Sequence, residues 1–142
     1  MDLSLVKSYP KKAGVRVSTH FTSDEFDCPC PGCTETKIHP KLIELLEEIR
    51  IRAGAPLMIH SGYRCPAHQA KLKADGLHTA EGISTHELGC AVDVSAHTLS
   101  GVELALTAAF VGFKAIGTAR DWIHADLRGT EPGGRERRWT YP

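Results

Sequence analysis

The sequence lacks an excess of charge of either sign, because 17 lysines and arginines are matched by 17 aspartates and glutamates. A formal net charge of zero creates no long-range attraction for a polyanion, so we expect no nucleic-acid partner. The sequence also lacks a hydrophobic run long enough to span a membrane, and it does not begin with the basic and apolar segments of an export signal. We therefore expect synthesis in the cytosol and no membrane partner.

Internal repeats and low-complexity segments are also missing, and the 142 residues fit a single domain, 1–142. With 42% hydrophobic and 24% charged residues, the chain can bury a core and is not expected to be disordered. We expect residues 1–20 to form an N-terminal arm, or a short edge strand around residues 15–17. The basic, glycine-rich residues 128–142 are expected to form a solvated C-terminal tail, and the protein is expected to be a monomer.

Hydrophobic patterning predicts helices that alternate with short strands. The clearest helix, 39–53, carries leucines and isoleucines on one face and charged residues on the other. Other elements are predicted as helices at 66–73 and 101–111, as strands at 57–60, 90–94, 113–116 and 122–127, and as a loop at 74–84. This order indicates an α+β fold, with a small antiparallel sheet that carries a metal site on one face and packs against helices on the other.

Three side chains that suit a metal ion, His86, Asp93 and His124, lie in the second half of the chain. Asp93 and His124 are predicted on two strands, and His86 on the turn before the first of them. Because neighbouring strands are only about 5 Å apart, the three side chains can meet. Two imidazole nitrogens and one carboxylate oxygen are ligands of a catalytic zinc ion, which keeps its fourth position for water. Asp126 faces the same side and is expected to orient a ligand or a substrate amine.

Four of the five cysteines, Cys28, Cys30, Cys33 and Cys65, lie on either side of the predicted helix 39–53. In a reducing compartment they could hold a second, structural metal ion, and in an oxidising one they could form disulfides. Their spacing lacks the usual paired gaps of two residues, so we favour thiols or disulfides over a metal. The fifth, Cys90, is interpreted as a small buried hydrophobic residue.

Three motifs occur in order: Ser-Gly-Tyr-Arg at 61–64, Ser-x-His-x-x-Gly-x-Ala-x-Asp at 84–93 and Trp-x-His-x-Asp at 122–126. Together they closely resemble the zinc D-Ala-D-Ala carboxypeptidase family, which includes phage L-alanyl-D-glutamate endopeptidases and shares its fold group with the hedgehog signalling domain. The resemblance covers roughly residues 22–140. It implies a small α+β peptidase acting on peptides of bacterial peptidoglycan, with the two histidines and the aspartate as zinc ligands.

The resemblance also implies roles for residues around the metal. Arg64 matches the arginine that holds the substrate carboxylate or polarises the scissile carbonyl, which suits a guanidinium with two parallel donors. Ser84 matches a position that shapes the zinc loop, and we predict that it contacts the substrate together with Trp122. In the endopeptidase and dipeptidase branches, a glutamate three residues before the last zinc histidine transfers the proton of the zinc-bound water during hydrolysis. Asp121 occupies that position here, and we predict it as the general base.

Two other functions remain open beside a zinc peptidase. Because Asp121 has a shorter side chain than the family's glutamate, the protein could instead be a non-catalytic zinc-binding module that recognises wall peptides or a protein partner. Alternatively, the four cysteines hold the main metal ion and the protein is structural, in which case metal loss follows Cys33→Ser more than His86→Ala. The leading hypothesis is a carboxypeptidase or endopeptidase of phage or prophage origin, which reaches the cell wall after release or as part of a virion.

Overall fold

Helices alternate with short strands in the computed structural model, which describes residues 1–77 and 82–142. The four residues between these ranges belong to the predicted loop 74–84 and lie outside the described residues. The α-helices of the described ranges are α1 (Pro40–Ala53), α2 (Pro66–Ala74) and α3 (Gly101–Val111). The strands are β1 (Lys7–Pro10), β2 (Glu35–Ile38), β3 (Leu57–Ser61), β4 (Ala91–Ala96), β5 (Ala115–Thr118), β6 (Ile123–Asp126) and β7 (Arg137–Thr140).

A five-stranded sheet in the order β3-β4-β6-β5-β7 forms the framework, and β1 and β2 form a separate two-stranded sheet. Every pairing in the larger sheet is antiparallel except that of β7, which runs parallel to β5 at the edge. The predicted α+β fold with a small antiparallel sheet is therefore confirmed, and the parallel edge strand is an addition to it. In the described part of the chain, no helix combines the length and apolarity needed to cross a membrane.

Helix α1 begins and ends where its sequence predicts. His39 caps its N-terminus by accepting the Lys41 N–H at Nδ1, at 3.0 Å, and Pro40 occupies the first turn, where its missing N–H has no intrahelical partner to lose. Gly54 ends the helix with a φ of +63°, which favours glycine. The predicted apolar face is buried in the core: Leu42, Ile43, Leu45, Leu46 and Ile49.

Helix α3 covers the sheet face opposite to the predicted metal site. Ser100 and Glu103 form a capping box at its N-terminus, since each side chain accepts the backbone N–H of the other residue. The helix contacts α1 on one side and β4, β5 and β6 on the other. The sheet residues facing it are fully buried and alternate with period two: Val92, Val94, Ile116, Ile123 and Ala125. The intervening residues of β4 and β6 therefore point away from this core.

Both ends of the chain differ from the expectation of an arm and a tail. The strand predicted at 15–17 is wrong, since Arg16 forms only an isolated bridge with Thr22, and the strand of this region is β1. The segment 128–142 is not a solvated tail, because β7 lies within it and pairs with β5. In both cases the partner strand is distant in sequence, so local patterning carries no signal of the pairing.

Candidate metal centre

His86, Asp93 and His124 come together beside the sheet face that α3 leaves uncovered. Asp93 on β4 and His124 on β6 are direct partners in the antiparallel register. Residues directly opposite each other on neighbouring strands have Cβ atoms only about 5 Å apart. Since their strand neighbours Val92 and Ile123 point into the core, both polar side chains point to the opposite face. The pairing predicted from the two sequence motifs is present.

His86 lies on the turn that precedes β4, and glycine shapes that turn. Gly89 has a φ of +73°, and a Cβ at this position would lie 2.6 Å from the carbonyl oxygen of Lys37. The Gly89 carbonyl accepts the N–H of His39 at 2.8 Å, which ties the turn to the start of α1. The Arg64 N–H donates to the His86 carbonyl at 3.2 Å. The close backbone approach allows only glycine and holds His86 in place.

The three side chains present ligand atoms at distances suited to a single ion. His86 Nε2 lies 3.4 Å from Asp93 Oδ1, and His124 Nδ1 lies 3.1 Å from the same oxygen. One ligand atom from each residue lies within 4.8 Å of the other two. A tetrahedral zinc ion with bonds of about 2.1 Å separates its ligand atoms by about 3.4 Å. The donor set and its spacing therefore fit zinc.

The hydrogen bonds behind the two imidazoles assign their tautomers. His86 Nδ1 lies 2.7 Å from the Gly62 carbonyl oxygen, which can only accept, so Nδ1 carries the proton. His124 Nε2 lies 2.8 Å from Asp126 Oδ2, and the carboxylate fixes its proton in the same way. His86 Nε2 and His124 Nδ1 are therefore left to offer lone pairs toward Asp93. Either a metal ion or a proton shared in a hydrogen bond with Asp93 can satisfy these lone pairs, so the same three atoms can hold a metal ion.

Burial and hydrogen bonding set the charges of the centre. Burial lowers the pKa of His86, which favours the neutral ring that a metal needs. Burial opposes the charge on His124, but its hydrogen bonds to Asp126 and Asp93 raise its pKa. Burial also opposes ionisation of both carboxylates, yet hydrogen bonds from the histidines hold the pKa of Asp93 well below its usual range. His124 and Arg128 lower the pKa of Asp126 to about 2. Both carboxylates are therefore anionic at neutral pH.

Arg64 binds the ligand carboxylate from behind. Its Nη2 donates to Asp93 Oδ2 at 3.0 Å, while Nε donates to Ser61 Oγ at 2.9 Å and Nη1 to Gln69 Oε1 at 3.4 Å. The planar fork thus joins the end of β3 to α2 and to the centre of β4. The sequence does not predict this orienting contact with Asp93, since the resemblance implies that Arg64 holds the substrate carboxylate or polarises the scissile carbonyl.

A cavity of about 540 Å³ opens over the three candidate ligands. Arg64, Ser84 and Trp122, three of the predicted site residues, line it. Ser84 also accepts the His86 N–H at 3.2 Å, which supports the metal-binding turn. Sequence reasoning missed the other lining residues, which are Gln69, Arg128, Arg137, Trp139, Thr140 and Tyr141.

Strand β7 and the residue after it supply one wall of this cavity. Arg137, Trp139 and Tyr141 alternate along the chain, which is the period of a strand with one face toward the site. Trp139 lies beside Gly117 of β5, and Gly117 lies beside His124 of β6. A Cβ on Gly117 would lie 2.3 Å from Trp139 Nε1, so the indole occupies the space of the missing side chain. Its ring centroid is 5.4 Å from that of His124.

Asp121, the predicted general base, is not brought into the cavity lining. It is exposed on the turn between β5 and β6, directly before Trp122, which does line the cavity and stacks on Tyr141 at 4.9 Å between ring centroids. Among the described residues that line the cavity, Asp93 is the one that carries a carboxylate. The role of Asp121 therefore stays a prediction.

A known protein family and a solved structure are similar to this chain. The sequence model of the peptidase M15 family matches residues 19–126, which include the three candidate ligands and end before β7. The chain is also similar to the crystal structure of the Serratia marcescens L-Ala D-Glu endopeptidase ChiX, at 22% identity and a TM-score of 0.49, over 63% of this chain and 80% of that one. None of the curated proteins matches the chain. Because the family match spans most of the chain, this protein belongs to the peptidase M15 family of metallopeptidases.

Proposed function

We propose that the protein is a zinc-dependent peptidase that hydrolyses amide bonds in the peptides of bacterial peptidoglycan. The observation that carries this proposal is the convergence of two imidazole nitrogens and one carboxylate oxygen, within 4.8 Å of one another, in an open cavity. Membership of the M15 peptidases supports it. The bond cut is that of a D-Ala-D-Ala carboxypeptidase or of an endopeptidase. Phage or prophage origin, and action at the cell wall after release or within a virion, stay predictions.

His86, Asp93 and His124 would hold the zinc ion. When bound at three protein ligands, zinc polarises the scissile carbonyl and lowers the pKa of a water molecule toward neutrality. The chain's own contribution is orientation. Gly62 and Asp126 keep one nitrogen of each imidazole protonated and the other free, and Arg64 fixes the rotation of the Asp93 carboxylate.

The cavity walls suit peptides that carry carboxylates. Arg64 and Arg128 are paired with Asp93 and Asp126, so their charges are largely offset within the protein. Arg137 lines the cavity with no acidic partner within ion-pair distance in the described part of the chain, and it is available to a substrate carboxylate. Trp122 and Tyr141 supply a stacked apolar surface in the same cavity. Wall peptides combine small side chains with free carboxylates, which match such a surface.

Asp121 remains our proposed proton carrier. It directly precedes Trp122, which lines the cavity, and an exposed carboxylate can accept a proton directly or through one water molecule. The same exposure favours a second candidate function, a non-catalytic zinc-binding module that recognises wall peptides. The two candidates differ in whether a peptide bond is cleaved.

Digestion of purified peptidoglycan and of defined muropeptides tests the proposed function. We expect the zinc-loaded protein to release fragments whose masses identify the amide bond that is cut, and we expect chelator-treated protein to release none until zinc is restored. Mass spectrometry measures the products. Binding of muropeptides without any cleavage by the zinc-loaded protein would instead support the non-catalytic module.

Replacing Arg64 with lysine is expected to weaken zinc binding by about 10- to 100-fold, because a single ammonium group cannot reach Ser61, Gln69 and Asp93 at once. The measurement is the free zinc concentration that restores half of the activity to chelator-treated protein. The control is Arg16→Lys, since Arg16 is exposed and contacts only backbone carbonyls. Equal zinc requirements for Arg64→Lys and the wild type would contradict the orienting role.

A further inference from the structure

Four cysteines converge at a place separate from the candidate metal centre. Cys28, Cys30 and Cys33 lie on the loop between the short 3-10 helix Ser23–Phe26 and β2, while Cys65 caps the N-terminus of α2. Their sulfur atoms all lie within 4.8 Å of one another. Cys65 Sγ is 3.8 Å from Cys28 Sγ and 3.5 Å from Cys30 Sγ, although Cys28 and Cys65 are 37 residues apart in sequence.

These distances fit metal ligands and not disulfides. A disulfide joins its sulfurs at about 2.05 Å, and all four thiols are free in this structure. Four thiolates around a zinc ion, with bonds of about 2.3 Å, are separated by about 3.8 Å at the edges of the tetrahedron. We propose that Cys28, Cys30, Cys33 and Cys65 bind a second zinc ion in a closed, structural site. The preference for thiols or disulfides, which rested on spacing alone, could not include the folding of Cys65 onto the loop.

The surroundings of the four sulfurs are those of a thiolate cluster. The backbone N–H of Cys65 donates to Cys28 Sγ at 3.4 Å, and that of His68 donates to Cys65 Sγ at 3.4 Å. Lys11 Nζ lies 3.3 Å from Cys33 Sγ, where its positive charge offsets part of the excess charge of four thiolates around a divalent ion. Outer donors of this kind orient and stabilise metal-bound sulfur. Zinc suits such a site because it is stable with four protein ligands in a tetrahedron and takes no part in redox chemistry.

The cysteine site adjoins the segment 62–64, which orients two of the candidate ligands of the metal centre. The Tyr63 N–H donates to the Phe26 carbonyl at 2.9 Å, and a Cβ on Gly62 would lie 2.8 Å from Phe26 Cα, so this segment packs closely on the 3-10 helix that precedes the cysteine loop. Gly62 supplies the carbonyl that binds His86, and Arg64 supplies the donor that binds Asp93. A zinc ion bound through Cys65 therefore holds both contacts from one side.

Zinc counting by mass spectrometry of the purified protein tests the second site. We expect two zinc ions in the wild type, one in Cys33→Ser, one in His86→Ala and none in the double variant. Cys90→Ala, which changes the cysteine outside the cluster, should keep two. A wild type with a single zinc ion that Cys33→Ser retains would overturn the proposal, as would iron in place of zinc or a disulfide between cluster cysteines.

Cobalt substitution gives a result that does not depend on the folding of a cysteine variant. In His86→Ala loaded with cobalt, we expect the intense charge-transfer absorption of thiolate-bound cobalt in a tetrahedral shell, because only the cysteine site is then intact. Absence of that absorption would refute thiolate ligation. The result is independent of peptidoglycan cleavage, so a failure here and a failure of the proposed peptidase function can be told apart.

Discussion

The Asp93→Ala variant is expected to lose one zinc ion and to hydrolyse muropeptides at least about 1,000-fold more slowly than the wild type. Asp93 Oδ1 is the atom that both histidines face, so its removal leaves two neutral rings with no anion between them. Metal ions supply several kcal/mol of transition-state stabilisation in such reactions, and each 1.4 kcal/mol is a factor of about ten in rate. Zinc content and initial cleavage rates measure the two effects on the same preparation.

The control for this variant is Asp24→Ala, because Asp24 is an exposed carboxylate on the 3-10 helix Ser23–Phe26. It should leave zinc content and cleavage unchanged. Asp93→Ala also leaves Arg64 without its carboxylate, and a circular dichroism spectrum checks that the fold survives. A folded Asp93→Ala protein with the zinc content and the activity of the wild type would show that the metal centre is assigned to the wrong residues.

The Asp121→Asn variant is expected to lower the turnover number by about 100- to 10,000-fold while zinc content stays at the wild-type level. The amide keeps the size of the side chain and removes its ability to accept a proton. Because Asp121 is exposed and outside the group of candidate ligands, the change should not disturb metal binding. Steady-state cleavage of a defined muropeptide, together with zinc analysis, separates this effect from loss of the metal.

Asp24→Asn is the matched control for the amide substitution, since both aspartates are exposed. If Asp121→Asn cleaves as fast as the wild type, Asp121 is not the proton carrier. In that case a group other than a carboxylate of the cavity must accept the proton. Within the described ranges Asp93 is the one carboxylate that lines the cavity, and it is a candidate metal ligand.

Patterning along the sequence predicts which face of its strand each of Asp93 and His124 occupies, while the resemblance names them, with His86, as candidate zinc ligands. Alternation on two strands places Asp93 and His124 on the polar face because Val92 and Ile123 must enter the core. The helical period of α1 likewise predicts its buried face. These predictions depend only on which side of a short element each residue faces, and that is a local property.

The features that could not be predicted arise from distant pairing or from the backbone. The parallel pairing of β7 with β5 brings the alternating residues Arg137, Trp139 and Tyr141 to the cavity, although the residues themselves read as a basic tail. The partner of His86 is the carbonyl of Gly62, and a backbone carbonyl leaves no mark in the sequence. The meeting of Cys65 with Cys28 depends in the same way on the folding of two remote segments.

The missing side chain at Gly117 links the shape of the cavity to the last strand of the chain. Trp139 fills the gap that this glycine leaves and lies beside the ring of His124, so the indole forms part of the cavity wall there. A bulky residue at 117 and a bulky residue at 139 exclude each other, because both need the same volume. Exchanging the large and the small residue at this pair of positions would therefore reshape the cavity without changing any of the candidate metal ligands.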